Sequence, residues 1–386
     1  MKSSSLRAGI KARPLLSQIQ ARRGLGHDAQ QQSSSSSATT PGVIFSGIQP
    51  TGVPHLGNYL GALQQWRRMQ DSAAADTKLL FSIVDLHAIT MPRPRGLLRQ
   101  WKREMFAALL AIGLDPSRSI IFYQSMVPAH SELQWILSCT ASTGYLNRMT
   151  QWKSKLSLKD NVSLSSNEAK QTLKHGLFSY PILQAADILV HRATHVPVGE
   201  DQRQHLEFAR ECVTNFNHTY GTSCLVAPET ILSPVKRVMS LRSPLQKMSK
   251  SDADATSRIL LTDSAHAIKN KVLKAVTDSQ DGISYDPVGR PGVSNLVELA
   301  SYFDAAGRTP EQLVEAEFGA GVSLKALKNR VAEAVDAELA PIRERYAEYL
   351  AKGELIDRLV EEGAEKARES AEGTMRLVRE AVELGA

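Results

Sequence analysis

The sequence predicts an α/β protein, with a parallel sheet in its first two-thirds and an all-helical region toward its C-terminus. Three observations carry this. Short β-branched and aromatic runs alternate with runs at helical spacing between residues 43 and 216, the pattern of βαβ units. Each strand-like run ends in polar or glycine residues, the edge at which open α/β sheets bind ligands. From Asp263 onward nearly every segment has helical period, for example Ile342, Tyr346, Tyr349 and Leu350.

The elements follow in order. Val43-Ile44-Phe45 reads as a strand ending by Gly47, and Leu56, Tyr59, Leu60, Leu63, Trp66 and Met69 then recur at helical spacing. Leu79 to Val84 is a second strand, stopping at Asp85; Leu98, Trp101, Met105, Leu109 and Ile112 mark the next helix, and Ile120 to Tyr123 a third strand. The polar stretch at about 153–175 reads as a mobile loop over a site. A helix from Phe178 to Val190, a strand at Val196-Pro197-Val198 and a helix from about Gln202 to Phe216 come next. Residues 341–386 carry eight basic and eleven acidic side chains, dispersed as on solvated helix faces.

Composition narrows the function class. With 386 residues, 42% of them apolar, wholesale disorder and collagen-like structure are excluded. The longest clearly apolar stretch, Met105 to Leu114, is about half of what a bilayer crossing needs, so a soluble protein with no membrane partner is expected. Cys139, Cys212 and Cys224 form neither a disulfide framework nor a zinc ribbon, which suits a reducing compartment. His191, His195 and His205 lack a companion cluster of cysteines or carboxylates, so no metal site and no zinc are expected.

The net charge of +6 belongs mostly to the N-terminus. Residues 1–40 hold six basic side chains against the single acid Asp28, leaving the remainder near neutral. This Ser- and Arg-rich, acid-poor segment has the composition of a disordered mitochondrial presequence and points to the mitochondrial matrix. The alternative is a disordered basic arm that binds RNA electrostatically.

Two loops carry chemistry. The first, Ser46 to Asn58, joins a strand to a helix, and its glycines let backbone approach a ligand at the positive end of that helix, beside His55. The second, Lys247-Met248-Ser249-Lys250-Ser251, offers cations and hydroxyls suited to an oligophosphate; alone it reads first as a solvated basic turn. Asp187 stands in an otherwise apolar helix, where an unpaired carboxylate is costly, so it either awaits a donor from a ligand or pairs internally.

Together the loops resemble the paired HIGH and KMSKS motifs of class I aminoacyl-tRNA synthetases, with His55-Leu-Gly-Asn58 departing at its second and fourth places. The fuller runs Gly47 to Gly52 and His55 to Leu63 are similar to the tryptophanyl-tRNA synthetases of bacterial and mitochondrial type. So are Ile83 to Thr90, Tyr180 to Leu189, Val196 to Gln202, Ala275 to Ser279 and Pro291 to Leu296. The resemblance implies a Rossmann-like catalytic domain over 41–255, with an inserted dimerisation segment, and a helical domain over 256–386 for anticodon recognition. It implies ATP with Mg²⁺, L-tryptophan and tRNA(Trp) as partners, and a homodimer. Gln49, Pro50, Thr51, Gly57, Asn58, Gly199, Glu200, Asp201, Val238 and Lys247 to Ser251 match ATP-binding positions, with His55, Lys247 and Lys250 in catalytic roles. Asp187 matches the acceptor of the indole N–H. Tyr180, Gln184 and Gln202 match contacts to the amino group, and Lys153 and Lys155 further phosphate contacts. A tyrosyl enzyme shares this fold but needs groups for a phenol. A small nucleotidyltransferase would lack the helical region, and a non-enzymatic RNA-binding descendant should have lost part of the site.

Overall fold

Five parallel strands run through the first two-thirds of the chain, and the order in which they pair decides where a ligand fits. They are β1 (Val43–Ile48), β2 (Lys78–Ile83), β3 (Ile120–Tyr123), β4 (His195–Val198) and β5 (Glu229–Leu232), paired in the order β3-β2-β1-β4-β5. The chain leaves β1 toward one edge and returns at β4 on its other side, which creates a topological switch point between these two strands. This computed structural model describes residues 42–156, 166–167, 172–232, 237–319 and 321–385.

Both faces of the sheet are covered, as parallel sheets require. Along β2, Leu79, Phe81 and Ile83 enter one apolar layer and Leu80 the other, following the two-residue period of a strand. The first layer is completed by the helices Leu97–Ala111, Pro291–Tyr302 and Leu324–Ala351. The second comes from Ala129–Ser138, His175–Leu189 and Arg203–Tyr220.

The four strands expected from sequence are all present. A strand and a long helix are among the elements that have no counterpart in that reading. The Glu229–Leu232 strand is half polar and only four residues long, and the Ala129–Ser138 helix begins with polar residues that blur its period. The first helical run is built in three pieces, Leu56–Asn58, a π turn over Tyr59–Leu63, and Gln64–Ser72. π turns are rare and gather at functional sites; here Ala62 within the turn and Trp66 after it line the cavity described below.

Residues 41–386 cluster as one compact unit, so the change near residue 255 is one of secondary structure rather than a gap in packing. The helix Gly353–Ala381 lies against β3 itself. A Cβ at Gly363 would come within 1.9 Å of the Ile121 carbonyl oxygen, so only glycine permits this approach of helix and strand backbones. Ala364, Ala367 and Ala371 continue the small-residue face. The expected presequence, and most of the polar loop at about 153–175, lie outside the described residues; Gln151–Lys155, at the start of that loop, is helical. Among the described residues no helix is long and apolar enough to cross a membrane.

Candidate active site

Strands β1 and β4 share one registered pair, Ile44 with His195, and then part. The Ser46 hydroxyl donates to the Pro197 carbonyl at 3.2 Å where the ladder has ended. A cavity of about 430 Å³ opens beyond it, walled by Gly47, Ile48 and Gln49 at the end of β1 and by Val198, Gly199 and Asp201 at the end of β4. It sits at the switch point, as the strand order requires.

Asp187, on the His175–Leu189 helix, forms the deep wall and is 1% exposed. Its carboxylate receives three hydrogen bonds from within the chain: His87 Nε2 at 2.8 Å, His130 Nδ1 at 2.7 Å and Gln124 Nε2 at 2.7 Å. Burial alone would raise its pKa, but the bonds from His130 and His87 outweigh it and hold the carboxyl at about 2. Behind His130 stands His191, its Nε2 at 3.3 Å from His130 Nε2; burial and the neighbouring His130 keep it far below the usual histidine range. Asp187 is therefore a fixed anion with internal partners rather than an orphan waiting for a ligand. A carboxylate has about four acceptor positions, and three protein donors leave one for a group in the cavity.

Tyr180, one helical turn before Gln184 and nearly two before Asp187, brings its hydroxyl to His205 Nε2 at 2.9 Å and donates to Gln151 Oε1 at 3.2 Å. Gln184 Nε2 donates to Gln202 Oε1 at 3.1 Å, joining two residues expected to hold an amino group. Lys155 Nζ lies 4.2 Å from the centre of the Tyr180 ring. Desolvation there, together with the charge of Arg93, brings its pKa below the ordinary lysine value.

The opposite end is made of loops. His55 caps the new helix: its Nδ1 accepts from the Asn58 N–H and its own N–H donates to Asn58 Oδ1, both at 3.2 Å. Burial, then the cations Lys250, Lys247 and Arg258, push this imidazole down to about 3. It is neutral at physiological pH, and because Nδ1 accepts, Nε2 carries the proton. A Cβ at Gly57 would lie 3.0 Å from His55 Cε1 and 3.1 Å from Nδ1, so the glycine makes room for the ring.

Lys250 closes this end. Its ammonium donates to the Gly52 carbonyl at 2.8 Å and to Thr51 Oγ1 at 3.3 Å, pinning the second loop on the first across 198 and 199 residues of sequence. Burial lowers its pKa to about 8, with Glu104 opposing and Arg258 assisting. The loop is anchored by buried Met248, whose N–H donates to the Val238 carbonyl at 3.0 Å. Asn295 in turn clamps Met239, accepting its N–H at 3.3 Å and donating to its carbonyl at 3.2 Å.

The structure thus gathers Gln49, Asn58, Lys155, Tyr180, Gln184, Asp187, Gly199, Asp201 and Gln202 around one cavity. Pro50, Thr51, His55, Gly57, Met248, Ser249 and Lys250 belong to the two locked loops beside it, and Val238 accepts the Met248 N–H from outside them. Lys247 and Ser251 are exposed on the loop surface, Glu200 faces Arg203 at 3.0 Å, and Lys153 is buried with its ammonium 5.4 Å from the Trp152 ring centre. His55 is a neutral donor and helix cap, because burial and neighbouring cations disfavour its proton. Asp187 pairs internally through three donors, one of the two alternatives that its apolar helix left open.

Sequence reasoning missed the partners His130 and Gln124 and gave no role to His87. His87 lies in the Ile83–Thr90 run already singled out, so a signal existed; His130 is an isolated histidine 57 residues from Asp187. Of the three histidines considered for metal, His191 pairs with His130, His205 with Tyr180, and His195 with the Thr194 hydroxyl at 2.9 Å.

Comparison with known proteins agrees with this geometry. Residues 37–340 match the family described as class I tRNA synthetases (W and Y). The mitochondrial tryptophan–tRNA ligase of Schizosaccharomyces pombe is 44% identical over 338 residues, 86% of this chain and 92% of that protein. The crystal structure of tryptophanyl-tRNA synthetase from Mycoplasma pneumoniae superposes with a TM-score of 0.77 at 29% identity, over 89% of this chain and 98% of its own. That of Campylobacter jejuni, complexed with ADP and tryptophan, gives 0.71 at 32% identity, over 89% and 100%. The chain belongs to the class I tRNA synthetase family, in its tryptophanyl branch of bacterial and mitochondrial type.

Proposed function

We infer that this chain is an ATP-dependent tryptophan–tRNA ligase of mitochondria, and that one cavity performs both of its steps. A carboxylate oxygen of tryptophan attacks the α-phosphorus of ATP, and the bond to the departing pyrophosphate breaks. A terminal hydroxyl at the 3′ end of tRNA(Trp) then attacks the adenylate carbonyl, and AMP leaves. The amino acid is itself the nucleophile, so positioning and charge stabilisation supply the catalysis. The observation that carries this reading is the single cavity with a buried anion, Asp187, at one wall and the Gly-rich turn after β1 at the other.

Each end has a part in that scheme. Asp187 takes the indole N–H in its remaining acceptor position, while Tyr180, Gln184 and Gln202 face the amino group. Gln49, Asn58, Gly199 and Asp201 hold the nucleoside and α-phosphate, with Pro50, Thr51, Gly57, Glu200 and Val238 shaping that side. His55 donates through Nε2 without a net charge. Lys247, Ser249, Lys250 and Ser251 stabilise the leaving pyrophosphate, with Lys153 and Lys155 as further phosphate contacts and Met248 as the anchor. Lys250 exchanges its Thr51 and Gly52 acceptors for phosphate oxygens.

Among the described residues no three His, Cys, Asp or Glu side chains converge as a metal site. In this scheme Mg²⁺ enters as the counter-ion that ATP brings, and no step is assigned to the protein through it. We propose the helical residues 256–386 as the reader of the anticodon. A homodimer is supported by Trp135, which stands 70% exposed on the Ala129–Ser138 helix. Matrix location is supported by the mitochondrial relatives and by the basic, acid-poor residues 1–40. A chain starting near Thr40 should keep full aminoacylation activity in vitro and stay out of mitochondria in cells; efficient import of it would contradict the presequence. Tryptophan-dependent ATP–pyrophosphate exchange, measured against the other nineteen amino acids, tests the activity itself.

A further inference from the structure

Between Arg93 and Arg103 the chain places five cations, Arg93, Arg95, Arg99, Lys102 and Arg103, with no acid among them. Two are engaged: Lys102 pairs with Asp85, and Arg103 with Asp357 at 2.8 Å. Arg93, Arg95 and Arg99 are exposed and have no carboxylate within ion-pair distance among the described residues. Three guanidinium groups without a carboxylate partner, on one short segment, make a local positive surface on a body that is otherwise near neutral.

Two contacts place this segment, and one charge effect agrees with them. The Arg93 guanidinium sits 5.8 Å from the centre of the Trp101 ring. The Trp101 indole packs on the Gly-rich turn, 3.5 Å from where a Cβ on Gly52 would stand, and Gly52 is the residue whose carbonyl holds Lys250. On the other side, the charge of Arg93 contributes to the lowered pKa of Lys155, which lines the cavity. The segment therefore lies at the cavity rim, between the phosphate loops and Lys155.

We propose that Arg93, Arg95 and Arg99 form a docking surface for the sugar-phosphate backbone of the tRNA acceptor strand. This rests on the ligase reading above, since that reaction must bring an RNA 3′ end over the rim to a carbonyl inside the cavity. Arginine suits the task, because its planar fork pairs with phosphate in two bonds and stays charged at any working pH. Both ATP and RNA present phosphates, and the surface is assigned to RNA because its cations stand on the outside, beyond the loop that Lys250 closes.

The test is the full chain carrying R93E, R95E and R99E together, assayed two ways. Aminoacylation should show the KM for tRNA raised at least tenfold. Its salt dependence should become shallower by about 0.7–0.9 in log–log slope for each phosphate no longer neutralised. Tryptophan-dependent ATP–pyrophosphate exchange, which needs no tRNA, should stay within twofold of wild type and also reports that the variant is folded. Triple replacement by Gln should fall between wild type and the reversal. An unchanged KM for tRNA overturns the proposal, and so does an equal loss in exchange, which would assign these cations to ATP. Absence of tryptophan-dependent exchange in the wild type is a separate result and would overturn the ligase reading instead.

Discussion

At the deep end of the cavity the anion Asp187 is held by three side chains from three different elements, all nearly dry. At the mouth, the cations Lys247 and Lys250 ride on a loop anchored by one buried methionine and a few backbone bonds. The first arrangement cannot move without leaving a buried charge unpaired, which costs several kcal/mol. The second can exchange weak carbonyl acceptors for phosphate at little cost. Selection of an amino acid calls for a rigid end, and departure of pyrophosphate calls for one that tightens as charge develops.

The largest expected effect comes from breaking the cationic end. Lys250→Ala should lower adenylate formation by about 10²-fold or more, the usual loss for a transition-state charge contact. Tryptophan binding without ATP should hardly change, which separates the two ends. Lys250 titrates near 8 in the free protein, so kcat/KM for ATP should decline above that pH. Lys250→Arg, which keeps its charge, should remove this alkaline limb. An unchanged rate in the alanine variant would reduce the loop to a solvated turn.

A smaller effect is expected at the rigid end when a support is removed rather than the anion. His130→Leu leaves Asp187 with two donors and should raise the KM for tryptophan about tenfold, with kcat and the KM for ATP nearly unchanged. His130→Asn places an amide N–H where Nδ1 stood and should restore most of the loss. If both variants behave alike, the histidine only fills space.

The smallest effect concerns stability, and it joins the two ends. His55 and His205 are held neutral, with pKa values of about 3 and 4, while their unfolded counterparts titrate near 6.5. The unfolded chain therefore binds more protons below pH 6.5, so stability is full above that pH and falls as pH drops toward 4. The slope should approach about 1.4 kcal/mol per pH unit for each histidine. Asp187 acts in the same direction at lower pH, between 3.8 and about 2, because its folded carboxyl stays ionised. Denaturant unfolding at pH 7, 5.5 and 4.5 checks the sign, and His55→Asn should flatten the curve.

The mouth was legible in the sequence because its chemistry sits in two contiguous runs, each a loop that reads as a loop. Four of the five strands were legible for a similar reason, since a short apolar run is a feature of local residues. The support of Asp187 was not. His87, Gln124 and His130 lie 100, 63 and 57 residues away, on separate elements, and only the fold brings them together. The protonation of His55 was hidden as well, because its cationic neighbours Lys247, Lys250 and Arg258 come from a loop nearly two hundred residues on. Sequence named Asp187 from the cost of burying it, and the structure shows that this cost is met largely by the protein itself.

The role proposed for this rigid anion is the selection of tryptophan through its indole N–H. It is tested most directly by kcat/KM for tryptophan and for phenylalanine in ATP–pyrophosphate exchange, wild type against Asp187→Ala. Loss of a charge-assisted bond contributes about 1.5–3 kcal/mol, so tryptophan use should fall roughly 10- to 150-fold. Phenylalanine has no donor there and should lose much less, so the ratio of the two should narrow. A general disturbance of the helix would lower both in proportion. An equal loss for both amino acids would contradict the claim and leave Asp187 as a structural residue that holds His87 and His130 in place.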